Sequence, residues 1–462
     1  MVTWGPTWAS DMRKILALAA LLAFAGAAAA NPFEKQLANG LRVIVKEDRR
    51  APTAVHMVWY RAGAMDEYDG WSGLAHALEH MMFKGTKTVA PGGFNKLVAE
   101  AGGRDNAFTS EDYTAYFQIV PKRALPEMMR LEADRMGNLV LSDKEFAAEI
   151  KVVMEERRLR TDDNPQALVY EALSAVAFQT HPYRRPVIGW MDDLEHMTAA
   201  DARDWYRRWY APNNAFVVVV GDVDHKAVFR LAEKTYGKLK AHALPGRKPQ
   251  KEPEQTGIKR LTVKAPAKLA YLAMAWKAPK LVDVDKDREP YALEVLSALL
   301  DGHEAARFPR NLVREQKVAQ SAGASYDSMV RGESLFILGG QPGEGRTVAD
   351  LETALRGEIK RIQDESVSAE ELARVKTQLV AAQVYKRDSM MAQAMEIGFI
   401  EASGYHWRDI DKTIATLRTV TAAEVQAVAK KYFKDDTLTV AVLDPQPVDK
   451  AVPKKPAFAV RH

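Results

Sequence analysis

Two histidines and a glutamate lie within five consecutive residues and could act together on a bound metal ion. His76, Glu79 and His80 are three and four residues apart, and a helix brings residues at these offsets onto one face. Two imidazoles at this spacing can ligate one Zn²⁺, whereas the carboxylate is too close to be a comfortable third ligand and can instead act on a water molecule. This H-x-x-E-H order rarely arises by chance, and the alternative is a pair of structural histidines.

A second group of possible ligands lies further along the chain. Residues 145–157 are rich in Ala, Glu, Lys and Met, which favours a helix. Glu149 and Glu156 are seven residues apart, two turns along one face, with Val152 and Val153 beside them. The apolar neighbours suggest a partly buried face, but from this stretch alone ordinary surface glutamates are the favoured interpretation.

The overall composition excludes several kinds of chemistry. The chain has 462 residues and no cysteine, so Cys-ligated zinc and thiol catalysis are excluded, and His and carboxylate remain as strong metal ligands. The formal net charge is +4 with well-mixed charges, which does not indicate a nucleic-acid partner. This length is too great for one ordinary core and suits two domains of about 200 residues.

Residues 1–30 are predicted to be a signal peptide rather than part of the fold. Residues 12–14 form a basic start, residues 15–24 an apolar core, and residues 28–30 an A-x-A cleavage site. Met12 is favoured over Met1 as the initiator. Because the apolar run is too short for an anchor, we expect no membrane span in the mature chain and export to the periplasm of a Gram-negative bacterium.

An internal repeat predicts two related domains. Residues 198–221 recur 223 residues later as residues 421–444, and each copy is predicted to be a capped helix followed by a buried strand. The strand 54–60 and the histidine-bearing helix correspond to a strand at 269–276 and a helix at 291–300 that has no histidine. The second half is therefore expected to repeat the fold without the metal site.

The domain boundaries follow from this repeat and from a proline-rich, charged segment between the copies. The prediction is a first domain over 31–240, a linker over 241–256, a second domain over 257–445 and a flexible tail over 446–462. Each half has strands followed by long helices, which indicates an α+β fold with an antiparallel-rich sheet and helices packed on one side.

Together these motifs resemble the M16 metallopeptidases, which include pitrilysin, insulysin and mitochondrial processing peptidase. Members carry H-x-x-E-H, then a glutamate ligand some 76 residues after the second histidine and another glutamate seven residues before that ligand. In this chain Glu156 follows His80 by 76 positions and Glu149 precedes Glu156 by seven. Other similar runs are residues 102–109, 181–189 and 211–214, so the resemblance covers about residues 33 to 445.

The resemblance implies a zinc endopeptidase with one zinc ion per chain. His76, His80 and Glu156 would be the ligands, which leaves one position open for water. Glu79 would be the general base. A fourth protein ligand would close the site, so Glu149 is expected to orient a ligand or its helix, with a purely structural carboxylate as the alternative.

Substrate-binding residues are also implied. Asn106, Ala107 and Phe108 would lie on an edge strand beside the zinc, where an extended or unfolded peptide pairs as an added strand; the alternative is an internal strand with no exposed edge. Many members carry an Arg and, seven residues on, a Tyr that hold the substrate and the developing oxyanion. Arg314 matches the Arg, but Ser321 replaces the Tyr.

This departure predicts that a related M16 subunit supplies the missing pair, in a heterodimer whose metal-bearing half is this chain. A homodimer that uses Arg314 alone is the alternative. A non-catalytic scaffold subunit is the rival function, but a scaffold has no need for three ligands and a base. A different metal hydrolase on an unrelated fold would not explain the repeat.

Overall fold

The computed structural model describes residues 31–447, and two mixed sheets organise them. The predicted signal peptide over 1–30 and residues 448–462 of the predicted tail lie outside the described residues. The strands of the first sheet are β1 Phe33–Gln36, β2 Arg42–Glu47, β3 Thr53–Tyr60, β4 Arg104–Thr109, β5 Thr114–Pro121 and β6 Ala215–Gly221. Their order is β1-β2-β6-β3-β5-β4, with β2 and β6 parallel and the other neighbours antiparallel.

The second sheet repeats this arrangement. Its strands are β7 Lys259–Pro266, β8 Tyr271–Ala278, β9 Ala319–Tyr326, β10 Ser334–Pro342 and β11 Leu438–Gln446. The order β7-β11-β8-β10-β9 equals that of the first sheet without β1, and the one parallel pair, β7 with β11, occupies the same place. The predicted α+β fold with two homologous, antiparallel-rich sheets is therefore confirmed.

Helices follow the strands in both halves. Those of the first half are α1 Leu74–Met81, α2 Gly93–Glu100, α3 Leu125–Asn138, α4 Asp143–Arg157, α5 Pro165–Ala177, α6 Met191–His196, α7 Ala199–Trp209 and α8 His225–Lys234. Those of the second half are α9 Glu289–Asp301, α10 Val348–Asp364, α11 Ala369–Lys386, α12 Met390–Ala402, α13 Ile410–Thr419 and α14 Ala422–Tyr432. Arg158–Asp162 and Phe308–Glu315 are π-helical. Short 3-10 turns span Ala64–Asp66, Lys122–Ala124, Pro182–Arg184, Pro212–Asn214, Tyr236–Lys238, Trp407–Asp409 and Asp435–Thr437.

The predicted capped helices of the repeat are α7 and α14. The hydroxyl of Thr198 accepts from the backbone N–H of Asp201, whose carboxylate accepts in return from the backbone N–H of Thr198. Thr421 and Glu424 form the same capping box in the second half. Each box satisfies donors that a helix start leaves free, so the same two sequence positions begin the corresponding helix in both copies.

Each half packs its own helices on one face of its sheet. Strand alternation divides the first sheet, because Val43, Val45 and Val217 point into a core formed with α1, α3 and α7. The intervening Ile44 and Val218 point to the opposite face. A second sheet core is built in the same way from α9, α10 and α14.

The opposite face of each sheet is covered by a helix from the other half. Ala394, Ile397 and Ala402 of α12 join Trp59 and Phe216 of the first sheet in one buried cluster. In return, Val169 and Leu173 of α5 pack against β8 and β11 of the second sheet. Since α5 and α12 begin 225 residues apart, they are corresponding elements of the repeat, and the two halves exchange them.

The segment between the halves has no helix or strand over residues 240–258, yet one of its residues, Glu252, is bound by both halves. The Glu252 carboxylate accepts from the backbone N–H groups of Gln179, Thr180 and His181 and lies 2.9 Å from the Lys277 ammonium. These contacts join the first half to the second. The exact domain boundaries stay a prediction.

Among residues 31–447, no helix is long and apolar enough to cross a membrane.

The contact between α12 and the first sheet predicts opposite effects for two Gly→Ala changes. A Cβ at Gly398 would lie 2.1 Å from the Trp59 ring, whereas a Cβ at Gly357 in α10 would meet nothing within 4 Å. Gly357→Ala should raise the free energy of unfolding by about 1 kcal/mol through helix propensity. Gly398→Ala should lower it by about 1 to 3 kcal/mol because the interface is overpacked. Urea unfolding followed by Trp fluorescence measures both; stabilisation by both changes would contradict this packing.

Candidate metal centre

Helix α1 carries the H-x-x-E-H residues into the interior, since all of its residues are buried. Its start is held by the buried Glu67, whose carboxylate accepts from the backbone N–H groups of Gly73 and Ala75 at 3.0 and 2.8 Å. Gly73 has φ of 86°, and a Cβ there would lie 2.7 Å from the carbonyl oxygen of Ile188. Only glycine fits this turn, which fixes the angle at which α1 enters the core.

The three predicted metal ligands meet in one buried pocket. His76 Nε2 lies 3.7 Å and His80 Nε2 lies 3.2 Å from Glu156 Oε2. The nearest ligand atoms of the three residues all lie within 4.8 Å of one another. Two of these residues come from α1 and the third from α4, so tertiary packing brings them together.

These distances fit a zinc ion. Two ligand atoms at the usual zinc bond lengths and a tetrahedral angle are about 3.3 Å apart, close to the separations of Glu156 Oε2 from the two imidazoles. Two imidazole nitrogens and one carboxylate oxygen are also a donor set that suits zinc. His76, His80 and Glu156 can therefore hold one zinc ion and leave a fourth position open.

Glu156 is kept ionised although it is buried. Its carboxylate lies near the end of α4, and the π-helical turn that follows brings Arg160 within 2.6 Å of Oε1. Burial raises the pKa of Glu156, but the hydrogen bond with His80 and the charges of His76, His80 and Arg160 outweigh it and lower this pKa to about 2. Sequence reasoning missed Arg160, which lies four residues after Glu156 and could have been found from that helical spacing.

Glu149 contacts a ligand rather than the ligand pocket itself. Its Oε1 lies 2.9 Å from His80 Nδ1, and its Oε2 lies 2.5 Å from Lys84 Nζ. When Nε2 of His80 faces the metal position, Nδ1–H can donate to Glu149 and fix the orientation of the ring. This is the arrangement expected of an orienting carboxylate. Lys84 lies three residues after the end of α1 and was not singled out from the sequence.

The base candidate, Glu79, is 3% exposed and faces the first sheet. Thr109 Oγ1 donates to Glu79 Oε2 at 2.5 Å. Burial raises the pKa of Glu79 to about 7, although the Thr109 hydrogen bond and the charge of His80 lower it. Thr109 was missed in the sequence, even though strand alternation places it on the same face as Ala107.

The predicted substrate strand lies at an edge of its sheet. Within the described residues β4 pairs with β5 alone, and α1 packs against it. Asn106 is exposed, Ala107 is buried and Phe108 is half-buried. The free side of β4 therefore presents backbone groups close to the metal pocket.

Arg314 and Ser321 are not brought to this pocket. Arg314 lies in the π-helical segment of the second half, where its guanidinium donates to the backbone oxygen of Glu304 at 2.7 Å and lies 3.6 Å from the Glu304 carboxylate. Ser321 is exposed on β9, which is the edge strand of the second sheet, and pairs with Gln341. Both side chains are on the surface of the second half.

Residues 42–190 match the family described as insulinase (peptidase family M16), and residues 196–379 match the peptidase M16 inactive domain. The zinc protease PqqE of Helicobacter pylori is 33% identical over 422 residues, which cover 88% of this chain and 92% of that protein.

Solved structures show the same fold. A crystal structure of a protease from Helicobacter pylori aligns with a TM-score of 0.85 and 30% identity over 90% of this chain and 100% of that chain. The periplasmic protease PqqL from Escherichia coli aligns with a TM-score of 0.77 and 21% identity over 91% of this chain and 49% of that chain. Family matches in both halves and a close relative along most of the length show that the chain belongs to peptidase family M16.

Proposed function

We propose that the chain is a zinc-dependent endopeptidase that hydrolyses extended or unfolded peptides. The observation that carries this proposal is the meeting of His76, His80 and Glu156 in one buried pocket with Glu79 beside them. Relatives along nearly the whole chain are named zinc proteases, which supports it. A scaffold subunit would not need this set, and the match to the inactive domain falls mainly on the second half, where α9 has no histidine.

In this proposal His76, His80 and Glu156 hold one zinc ion. When bound, such an ion polarises the scissile carbonyl and makes a water molecule more acidic. Glu79 accepts the proton of the attacking water and returns it to the leaving amine. A pKa raised to about 7 by burial suits a group that must take up and release a proton near neutral pH. Glu149 keeps His80 in the required orientation.

The substrate is held as an additional strand along β4. Asn106, Ala107 and Phe108 lie on its free edge, where hydrogen bonds to the peptide backbone give affinity with little sequence preference. A segment whose backbone is already paired within a fold cannot add to β4 in this way, so the proposed substrate class is extended peptide. Export to the periplasm is part of the same proposal and rests on the basic, apolar and A-x-A pattern of residues 1–30.

The partner is proposed to be a related M16 subunit. Arg314 and Ser321 are exposed on the second half, and Ser321 is too short to act as the missing Tyr donor. A homodimer that relies on Arg314 is the alternative. The 49% coverage of PqqL leaves room in that chain for a second unit of this size, which supports pairing of two such units.

The first prediction from the proposed function concerns metal retention. The purified chain should bind about one zinc ion, by the ligand count. Glu156→Gln should weaken metal binding, because it replaces a charged ligand with a neutral one. Glu155→Gln is the matched control, since Glu155 is exposed and pairs with Arg158 instead. Zinc content is measured after dialysis against a graded chelator series. Equal retention by both variants would contradict the assignment of Glu156.

The second prediction separates the base from the ligands. Glu79→Gln should keep zinc yet lower the rate of hydrolysis of an unstructured peptide by about a hundredfold or more, as loss of a general base does. The control is again Glu155→Gln, which should hydrolyse the peptide at the rate of the unchanged chain. Near-normal turnover by the Glu79 variant would show that another group accepts the proton.

The third prediction tests the partner. If a related subunit supplies an oxyanion donor, that donor is worth about 3 to 4 kcal/mol, so the chain alone should turn over peptide slowly and its partner should raise kcat strongly. Activity on an unstructured peptide is measured with and without a second M16-like chain that carries the Arg and Tyr pair but no H-x-x-E-H. Full turnover by the chain alone, unchanged by that addition, would exclude the heterodimer and leave the homodimer.

A further inference from the structure

The hydroxyl of Thr109 is the point at which the substrate strand contacts the proposed base. It lies at the end of β4, and its Oγ1 donates to Glu79 Oε2 at 2.5 Å. Side chains alternate along a strand, so Ala107 and Thr109 face α1 while Asn106 and Phe108 face away. Ala107 is accordingly part of the core that contains α1, and Phe108 packs against the buried cluster on the other face of the first sheet.

The position of Thr109 is fixed from both sides of the hairpin. It pairs with Thr114 across the β4–β5 turn, and Thr114 Oγ1 donates to the Ala62 backbone oxygen at 3.0 Å. Within the turn, the Asp112 carboxylate accepts from the backbone N–H of Arg331 at 2.8 Å and from the Tyr183 hydroxyl at 2.5 Å. Because these partners come from both halves, the end of β4 cannot move freely relative to α1.

We propose that Thr109 is a positioning residue that holds the Glu79 carboxylate in the orientation needed for proton transfer and ties it to the strand that receives the substrate. This rests on the proposed peptidase function. A carboxylate at the end of a glutamate side chain has several rotamers, and a base must be within hydrogen-bond reach of the proton that it accepts. The Thr109 hydroxyl selects one of these rotamers by occupying Oε2, which leaves Oε1 for the water.

Two substitutions separate the hydroxyl from the shape of the side chain. Thr109→Val keeps the β-branched shape that suits a strand but cannot donate, whereas Thr109→Ser keeps the hydroxyl. We expect Thr109→Val to lower kcat about tenfold, because small misplacement of a catalytic group costs one to two orders of magnitude. KM and zinc content should stay unchanged. Thr109→Ser should recover most of the lost kcat.

Thr439→Val is the matched control, since it removes a buried hydroxyl from a strand of the second sheet that contacts Gln255 and not Glu79. It should lower thermal stability but leave the kcat of the folded protein unchanged. A Thr109→Val variant with unchanged kcat would overturn the proposal. So would equal losses in the Val and Ser variants, or a loss of kcat explained by lost zinc.

A second readout does not depend on activity. The infrared carboxyl bands of Glu79 can be isolated as the difference between the chain and its Glu79→Gln variant, both prepared without metal. Thr109→Val should shift these bands, because a hydrogen bond to Oε2 is lost, and Thr109→Ser should not. Unshifted bands would overturn the proposal. If the unchanged chain with zinc hydrolyses no peptide, the proposed function fails; if the chain is active and Glu79→Gln is inactive while Thr109→Val keeps full kcat, only the role of Thr109 fails.

Discussion

The site depends on the register in which α1 packs against α4. His80 is the contact that sets it, because Nδ1 lies 2.9 Å from Glu149 and Nε2 lies 3.2 Å from Glu156. The two glutamates are two turns apart on α4, and one imidazole spans them with its two nitrogens. A shift of α4 by one turn, about 5.4 Å, would break both contacts at once. The hydrogen bond between His80 and Glu149 therefore orients the imidazole of a proposed ligand and also aligns α4, which carries Glu156.

The exchange of α5 and α12 ties the first sheet to the second half, where none of the proposed metal ligands lies. The face of the first sheet that contains Trp59 and Phe216 is closed by α12, and without that helix it would be an exposed apolar surface. Arg331 adds a polar contact, since its guanidinium lies 3.1 Å from Asp66 and donates to the backbone oxygen of Asp112. The second half thus supports the turn between β4 and β5. Thr109 lies at the start of this turn and contacts the proposed base, Glu79.

Local features of the site could be predicted from the sequence, and long-range ones could not. Spacing alone placed His76, Glu79 and His80 on one helical face, and the capping boxes at Thr198 and Thr421 marked two helix starts correctly. In contrast, nothing within residues 145–157 distinguishes Glu156 from a surface glutamate, so its assignment needed the resemblance to a family. The structure then places it beside the two histidines.

The exchanged helices and Lys84 were missed because their roles depend on tertiary packing. The exchanged helices were not predicted, because an apolar face on α5 or α12 does not specify which sheet it covers. Lys84 lies just after the end of α1 and contacts Glu149 of α4, so its role follows from packing rather than from spacing. The roles of Thr109 and Arg160 could have been predicted from the sequence, the first from strand alternation and the second from helical spacing. Both predictions would have required that their partners, Glu79 and Glu156, already had assigned roles.

The carboxylates of Glu79 and Glu156 lie in this pocket and that of Glu149 lies beside it, so their mutual repulsion must be offset. The charge of Glu156 contributes to the raised pKa of Glu79, which is the expected effect of a like charge in a buried site. Lys84 and Arg160 offset the other two carboxylates directly, at 2.5 and 2.6 Å. Helices α1 and α4 also pack into the same hydrophobic core. Packing and these two ion pairs therefore hold the proposed ligands and the carboxylate that orients His80 in one arrangement.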